Sequence, residues 1–212
     1  MTTFDVRDSH DEGVAAAVLA LRRGELAVLP TDTVYGIAAD AFSPAAVARL
    51  LDAKGRGRDL PVPVLVGSPR TLDGLAETVS PVARALVERF WPGPLTLVVR
   101  AAPSLAWDLG ETRGTVAVRM PLHPTALAVL AETGPLAVSS ANRSGQPPAA
   151  DAADAQEQLG DSVAVYLDAG PVGDPVPSTI LDLTGSRPTL LRVGALSMAE
   201  ISAVAPDVQG PA

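Results

Sequence analysis

Three cations crowd into five residues, Lys54-Gly55-Arg56-Gly57-Arg58, in a 212-residue chain whose formal net charge is -8. The local sign opposes the global one, and the interleaved glycines let backbone N–H groups approach a ligand, which suits phosphate or carboxylate binding. A solvated basic turn is the plainer alternative. Hydroxyls and further cations stand at other points of the chain: Thr31, Thr33 and Tyr35; Thr115 and Arg119; Ser140 and Asn142; Ser178 with Thr179; and Arg192. Arg119 and Arg192 each interrupt an otherwise apolar run. A strand arginine usually just faces solvent, but two such interruptions in one chain are harder to assign to the surface.

What is missing narrows the chemistry. The chain has no cysteine and only two histidines, His10 and His123, which excludes disulfides, a thiolate nucleophile, cysteine-ligated zinc and a multi-histidine metal site. It carries no GxxxxGK loop, no GxGxxG opening a helix, no GxSxG and no HExxH, so bound phosphate must be met by scattered cations and hydroxyls. The negative balance disfavours broad, nonspecific clamping of nucleic acid, leaving room for a small anion pocket. No apolar run approaches the ~20 residues of a membrane span, and the acidic start (Asp5, Asp8, Asp11, Glu12) is not that of a signal peptide. The expected compartment is the cytoplasm, with no membrane partner.

The elements that must position these groups are read from spacing and caps. Helices are predicted over 14–21, over 44–54 behind the Ser43-Pro44 cap, over 81–90 behind Ser80-Pro81, and over 125–132, 152–159 and 197–204. Strands are predicted over 26–29, 62–66, 95–100, 115–120, 136–139, 163–167, 179–183 and 189–193. Pro63 points to an edge or a bulge for the second of these. Pro30–Gly36 and Ser139–Pro148 read as polar loops on strand ends, 101–114 as a surface excursion, and Asp32 as a cap of its own loop. Hydrophobic residues make up 47% and aromatics only 3%, so the core is built from Ala, Val and Leu. The fold class is α/β: one domain over 8–205, an open twisted mixed sheet with flanking helices, followed by a mobile tail, 206–212. Lys54 lies at the end of a helix, where the dipole favours a cation. As exposed charges, Lys54 and Arg56 are expected to matter far more to turnover than to stability.

PTDTVYG (30–36), the Lys-x-Arg of Lys54 and Arg56, PGPLTLV (92–98), VAVRMP (116–121), SSANRSG (139–145), PSTI (177–180) and LLRVG (190–194) together resemble the YrdC-like threonylcarbamoyl-adenylate synthases, in order and across most of the chain. The short form, without an extra C-terminal domain, is the one that it is similar to. The resemblance implies a YrdC-like fold around a large electropositive cavity, and a nucleotidyltransferase that condenses L-threonine, bicarbonate and ATP to threonylcarbamoyl-AMP and pyrophosphate. A downstream transferase complex, bound transiently, would pass the group to tRNA to form N6-threonylcarbamoyladenosine. Direct contact with tRNA is a further partner to consider. By similarity Lys54 and Arg56 are the catalytic cations; Thr33, Arg119 and Ser178 meet threonine; and Arg56, Thr115, Ser140, Asn142 and Arg192 meet ATP. Mg2+ enters on ATP as part of the substrate, with no protein metal site. Such chemistry needs no protein nucleophile, because the threonine amine and then the carbamate oxygen attack.

The chain departs from the family pattern in two ways. Gly57 stands where a proline often follows the Lys-x-Arg, and Leu60 and Leu65 stand where an asparagine and a histidine are frequent, with Arg58 as a candidate replacement for a lost ATP contact. The alternatives are a YciO-like paralogue of the same fold without this activity and an RNA-binding module that performs no chemistry.

Overall fold

In the computed structural model, residues 1–173 and 176–210 are described, and they form a ten-stranded sheet. In chain order the elements are β1 (Thr2–Asp5), α1 (His10–Arg22), β2 (Ala27–Leu29), β3 (Gly36–Asp40), α2 (Pro44–Lys54), β4 (Val64–Leu65), α3 (Thr71–Leu75), α4 (Pro81–Phe90), β5 (Leu95–Arg100), β6 (Thr115–Arg119), α5 (Pro124–Thr133), β7 (Leu136–Ser140), α6 (Ala152–Leu159), β8 (Val165–Asp168), β9 (Thr179–Asp182), β10 (Thr189–Arg192) and α7 (Met198–Ser202). The sheet runs β1-β8-β2-β3-β7-β4-β6-β5-β9-β10. It is mixed, as expected: β8 is parallel to both β1 and β2, β4 to β6 and β5 to β9, whereas β3 is antiparallel to β2 and β7, β4 to β7, β5 to β6 and β9 to β10.

Side-chain alternation then decides which faces are covered. On one face Ala27, Leu29, Ala38, Leu65, Leu136, Val138, Val165 and Leu167 pack against α1 and α5 through Val18, Leu21, Val129 and Leu130. The opposite face is a longer apolar layer in which Val28, Ile37, Val64, Leu97, Val118 and Leu181 meet Leu50, Leu86, Phe90, Leu159 and Ile201. Because Val116 and Val118 belong to that second layer, Thr115, Ala117 and Arg119 of β6 point to the first face, as do Thr96 and Val98 of β5 and Ile180 and Asp182 of β9. There the packing thins, with Thr115, Ala117, Val98, Ile180 and Asp182 only half-buried. One half of the sheet is thus a covered core and the other half presents a floor.

Three expectations are corrected. β4 is not at an edge. It lies between β7 and β6, and Pro63 is accommodated because it precedes the paired residues and contributes only its carbonyl, which accepts from Val138 N–H at 2.8 Å. The folded unit extends beyond 8–205, since β1 pairs along β8 from Thr2↔Val165 to Asp5↔Asp168. At the other end, the tail is bound as far as Gln209, whose carbonyl accepts from Leu190 N–H at 2.9 Å and whose N–H donates to Pro188 at 2.8 Å. Pro211 and Ala212 lie outside the described residues. β1, β3 and α3 had no counterpart in the sequence reading, and the 101–114 excursion is no simple surface loop, because Leu109 is buried within it.

Candidate active site

Arg119 ends β6 with its guanidinium buried and all three arms engaged. Nε donates to the Gly93 carbonyl at 3.0 Å, Nη1 to Thr33 Oγ1 at 2.8 Å and Nη2 to Asp32 Oδ1 at 2.5 Å. Asp32 Oδ1 also accepts from Leu122 N–H at 2.8 Å. Asp32 therefore does not cap its own loop. It fixes the 30–35 loop to the end of β6 and compensates a charge that burial alone would disfavour, so burial lowers the Arg119 pKa while Asp32 opposes that shift.

The charge of Arg192 also lowers the Arg119 pKa. Register explains the approach. Leu97 pairs with Val118, which sets Thr96 beside Arg119; Thr96 pairs with Ile180, and Ile180 with Arg192. Arg119, Thr96, Ile180 and Arg192 so form one row across four strands on the thinly covered face. Arg192 donates from Nε and Nη2 to the Ser178 carbonyl at 3.0 and 2.8 Å and from Nη2 to Ser178 Oγ at 3.1 Å, and Ser178 Oγ lies 2.8 Å from Thr96 Oγ1. Gly194 makes this junction possible, since a Cβ there would stand 2.2 Å from the Pro177 carbonyl oxygen. Thr179 Oγ1, which donates to the Leu196 carbonyl and accepts from Gly194 and Leu196 N–H, holds the turn.

A second group gathers where α2 ends against β7. Lys54 is 3% exposed, and its Nζ donates to the carbonyls of Ser140 and Asn142 at 2.5 and 2.6 Å and, more distantly, to Asn142 Oδ1 at 3.4 Å. Burial pulls its pKa down to about 8, and the charge of Arg56 adds to the pull. The expectation that Lys54 is an exposed cation of little structural weight is overturned: its donors are spent on the main chain of the 140–142 turn. Arg56 is half-buried, donating to Ser139 Oγ at 3.1 Å, to the Leu60 carbonyl at 2.9 Å and to the Pro61 carbonyl at 3.3 Å. The Asn142 amide closes its own loop by donating to Arg143 and Gln146 carbonyls at 2.9 and 2.7 Å, so its side chain braces the turn instead of projecting from it. Arg58 is not a free cation; it pairs with Asp108 at 2.6 Å.

The 30–36 segment joins the two groups. Thr33 serves Arg119, while Tyr35 O accepts from Ala141 N–H at 2.8 Å and Gly36 pairs with Ser140. The Tyr35 hydroxyl is buried and donates to the Gly170 carbonyl at 2.6 Å, and burial raises its pKa to about 12. It anchors the loop. Thr115 sits four residues from Arg119 on the same face of β6, roughly 13 Å away at strand rise, with its hydroxyl turned to the Thr112 carbonyl at 2.8 Å. A hollow of about 450 Å3 behind Lys54, lined by Arg49, Asp52, Arg143 and Ser162, contains neither Arg119 nor Arg192 and is not where the groups converge.

Several participants escaped the sequence reading: Asp32 as an ion-pair partner, Thr96, Ser139 and the Gly93 carbonyl. Thr96 had a signal, a hydroxyl inside the apolar run 95–99. The Gly93 carbonyl had none.

The sequence model of the Sua5–YciO–YrdC family, described as "Telomere recombination", matches residues 19–194. A putative threonylcarbamoyl-AMP synthase of Mycobacterium tuberculosis is 58% identical over 204 residues, 95% of this chain and 94% of that protein. The threonylcarbamoyl-AMP synthase of Bacillus subtilis is 39% identical over 203 residues, and the chain spans 58% of its length. The crystal structure of P. abyssi Sua5 complexed with L-threonine superposes with a TM-score of 0.89 at 37% identity, over 93% of this chain and 58% of that one.

Proposed function

The chain belongs to the Sua5–YciO–YrdC family, and from that premise we propose that it is a threonylcarbamoyl-AMP synthase that joins L-threonine, bicarbonate and ATP. The observation that carries this reading is the row on the floor of the sheet: two arginines from β6 and β10, with Thr33 and Ser178 bonded to them, on the thinly covered half of that face.

Threonine lies at the Arg119 end, its carboxylate drawn by Arg119 and Arg192 and its polar groups met by Thr33 and Ser178. ATP extends toward Thr115, Ser140 and Arg56, with Mg2+ carried on its phosphates as substrate. The threonine amine attacks bicarbonate and water leaves, giving the carbamate. The carbamate oxygen then forms a bond to the α-phosphorus as the bond to the β-phosphate oxygen breaks, and pyrophosphate departs in a nucleotidyl transfer. Three anions must share one site, so fixed cations offset a repulsion that would otherwise oppose assembly. Arg56 and Arg192 supply that charge, and Lys54 holds the turn against which ATP rests. The acyl-adenylate then passes to a separate transferase that modifies tRNA.

Pyrophosphate release that requires both threonine and bicarbonate is the expected result with folded protein and MgATP. Release indifferent to either, or none at all, would remove the proposal. Within the site, Thr33→Val leaves Arg119 Nη1 without its acceptor, a loss of about 1–3 kcal/mol for a buried donor. The expected result is a threonine KM raised about tenfold with ATP affinity kept; an equal rise for both substrates would take Thr33 out of the threonine end.

A further inference from the structure

The excursion between β5 and β6 is pinned at each residue from 107 to 111. Trp107 stacks on Phe42 with ring centroids 5.6 Å apart. Asp108 Oδ1 accepts from Arg58 Nη2 at 2.6 Å and from Gly110 N–H at 3.2 Å. The buried Leu109 offers its carbonyl to Val62 N–H at 2.9 Å, and Glu111 N–H donates to the Arg58 carbonyl at 2.8 Å. Gly110, at φ +100°, packs so closely that a Cβ would lie 2.8 Å from the Arg58 carbonyl oxygen.

What these contacts hold is the segment 58–62, and that segment holds Arg56. Two of the three acceptors that aim the Arg56 guanidinium are the carbonyls of Leu60 and Pro61. We propose that Asp108 is a positioning residue for ATP: by latching Arg58 it sets the 58–61 turn, and through the Leu60 and Pro61 carbonyls it sets the direction of Arg56. The inference rests on the reading that Arg56 meets ATP. The same excursion ends at Thr115 through the Thr112 carbonyl, so the brace reaches both sides of the nucleotide. The latch side chains are 53% and 41% exposed, and such a pair contributes little to folding, which separates its geometric role from a structural one.

The test compares full-length wild type with Asp108→Asn, Arg58→Ala, their double variant and the charge exchange Arg58→Asp with Asp108→Arg. The measurements are kcat, both substrate KM values and calorimetric ATP affinity. Each single variant is expected to weaken ATP about threefold while leaving the threonine KM unchanged, the scale of one half-exposed ion pair. The double variant should be no worse than the poorer single one, and the exchange should restore most of the loss. If Arg58 itself touched ATP, Asp108→Asn would free it and leave ATP binding equal or tighter. That result, or additive losses in the double variant, overturns the latch. A wild type that binds ATP but releases no pyrophosphate overturns the assigned reaction while the binding series still decides the latch. Absence of ATP binding overturns both.

Discussion

Lys54→Met is expected to lower thermal stability and turnover together, the reverse of what an exposed cation at a helix end would do. The ammonium supplies short hydrogen bonds to the carbonyls of Ser140, the last residue of β7, and Asn142, just beyond it. A methionine of similar length fills the space but leaves the buried Asn142 carbonyl unpaired, at about 1–3 kcal/mol, and the Ser140 carbonyl with only the Asn142 N–H at 2.9 Å. For a chain of this size a net loss of about 3 kcal/mol lowers the Tm by roughly 10 °C. Turnover is expected to fall about a hundredfold, because Ser140 and the 140–142 turn lose the tie that places them beside Arg56. Calorimetry and pyrophosphate release check the two parts, and a lost turnover at unchanged Tm would mean that the ammonium faces the reactants and not the main chain. The pH dependence gives a second signature. With the folded value drawn down to about 8 from an ordinary 10.5, the unfolded chain keeps this proton between about 8 and 10.5 after the folded state has released it. Stability from this site therefore rises with pH through that window, and Lys54→Met abolishes the rise.

Arg119→Lys keeps the charge and discards the fork. Its three acceptors, on Gly93, Thr33 and Asp32, come from two different loops and lie in the three directions that a guanidinium can serve at once. An ammonium in the same place can satisfy Asp32 but not all three. The expected outcome is a threonine KM raised at least tenfold, a difference of about 1.4 kcal/mol, with ATP affinity kept. Arg119→Met goes further, since it leaves the Asp32 carboxylate buried without its partner, a loss of about 3–5 kcal/mol. Arg119→Lys with an intact threonine response would confine Arg119 to a structural role.

How far the sequence could be read depended on how local each cause was. Ser43, Ser80 and Ser197 were legible as helix starts because a cap acts within three residues: their hydroxyls accept from Ala46, Ala83 and Glu200 N–H, and Glu200 completes a capping box with Ser197. β3 was not legible. Gly-Ile-Ala-Ala-Asp has neither alternation nor a β-branched run, and it is a strand because β2 and β7 pair with both its edges. Gly36 belongs to that pairing, since a Cβ would lie 2.6 Å from Val138 Cγ1. In the site, the ordered motifs marked the binding segments, but the partners inside them came from far along the chain. Nothing near Asp32 announces Arg119, and Lys54 at a helix end reads equally as a dipole counter-charge or a buried clamp until β7 is set beside it.

The place of β1 has a consequence for synthesis. β1 cannot be seated until β8, which it flanks and which also closes the outer edge of β2, has been made. For most of translation β2 presents an open strand edge of the kind that invites pairing with other chains, and the register is completed only by contacts between residues far apart in sequence. Until β8 is in place, that edge of β2 stays open to pairing with other chains.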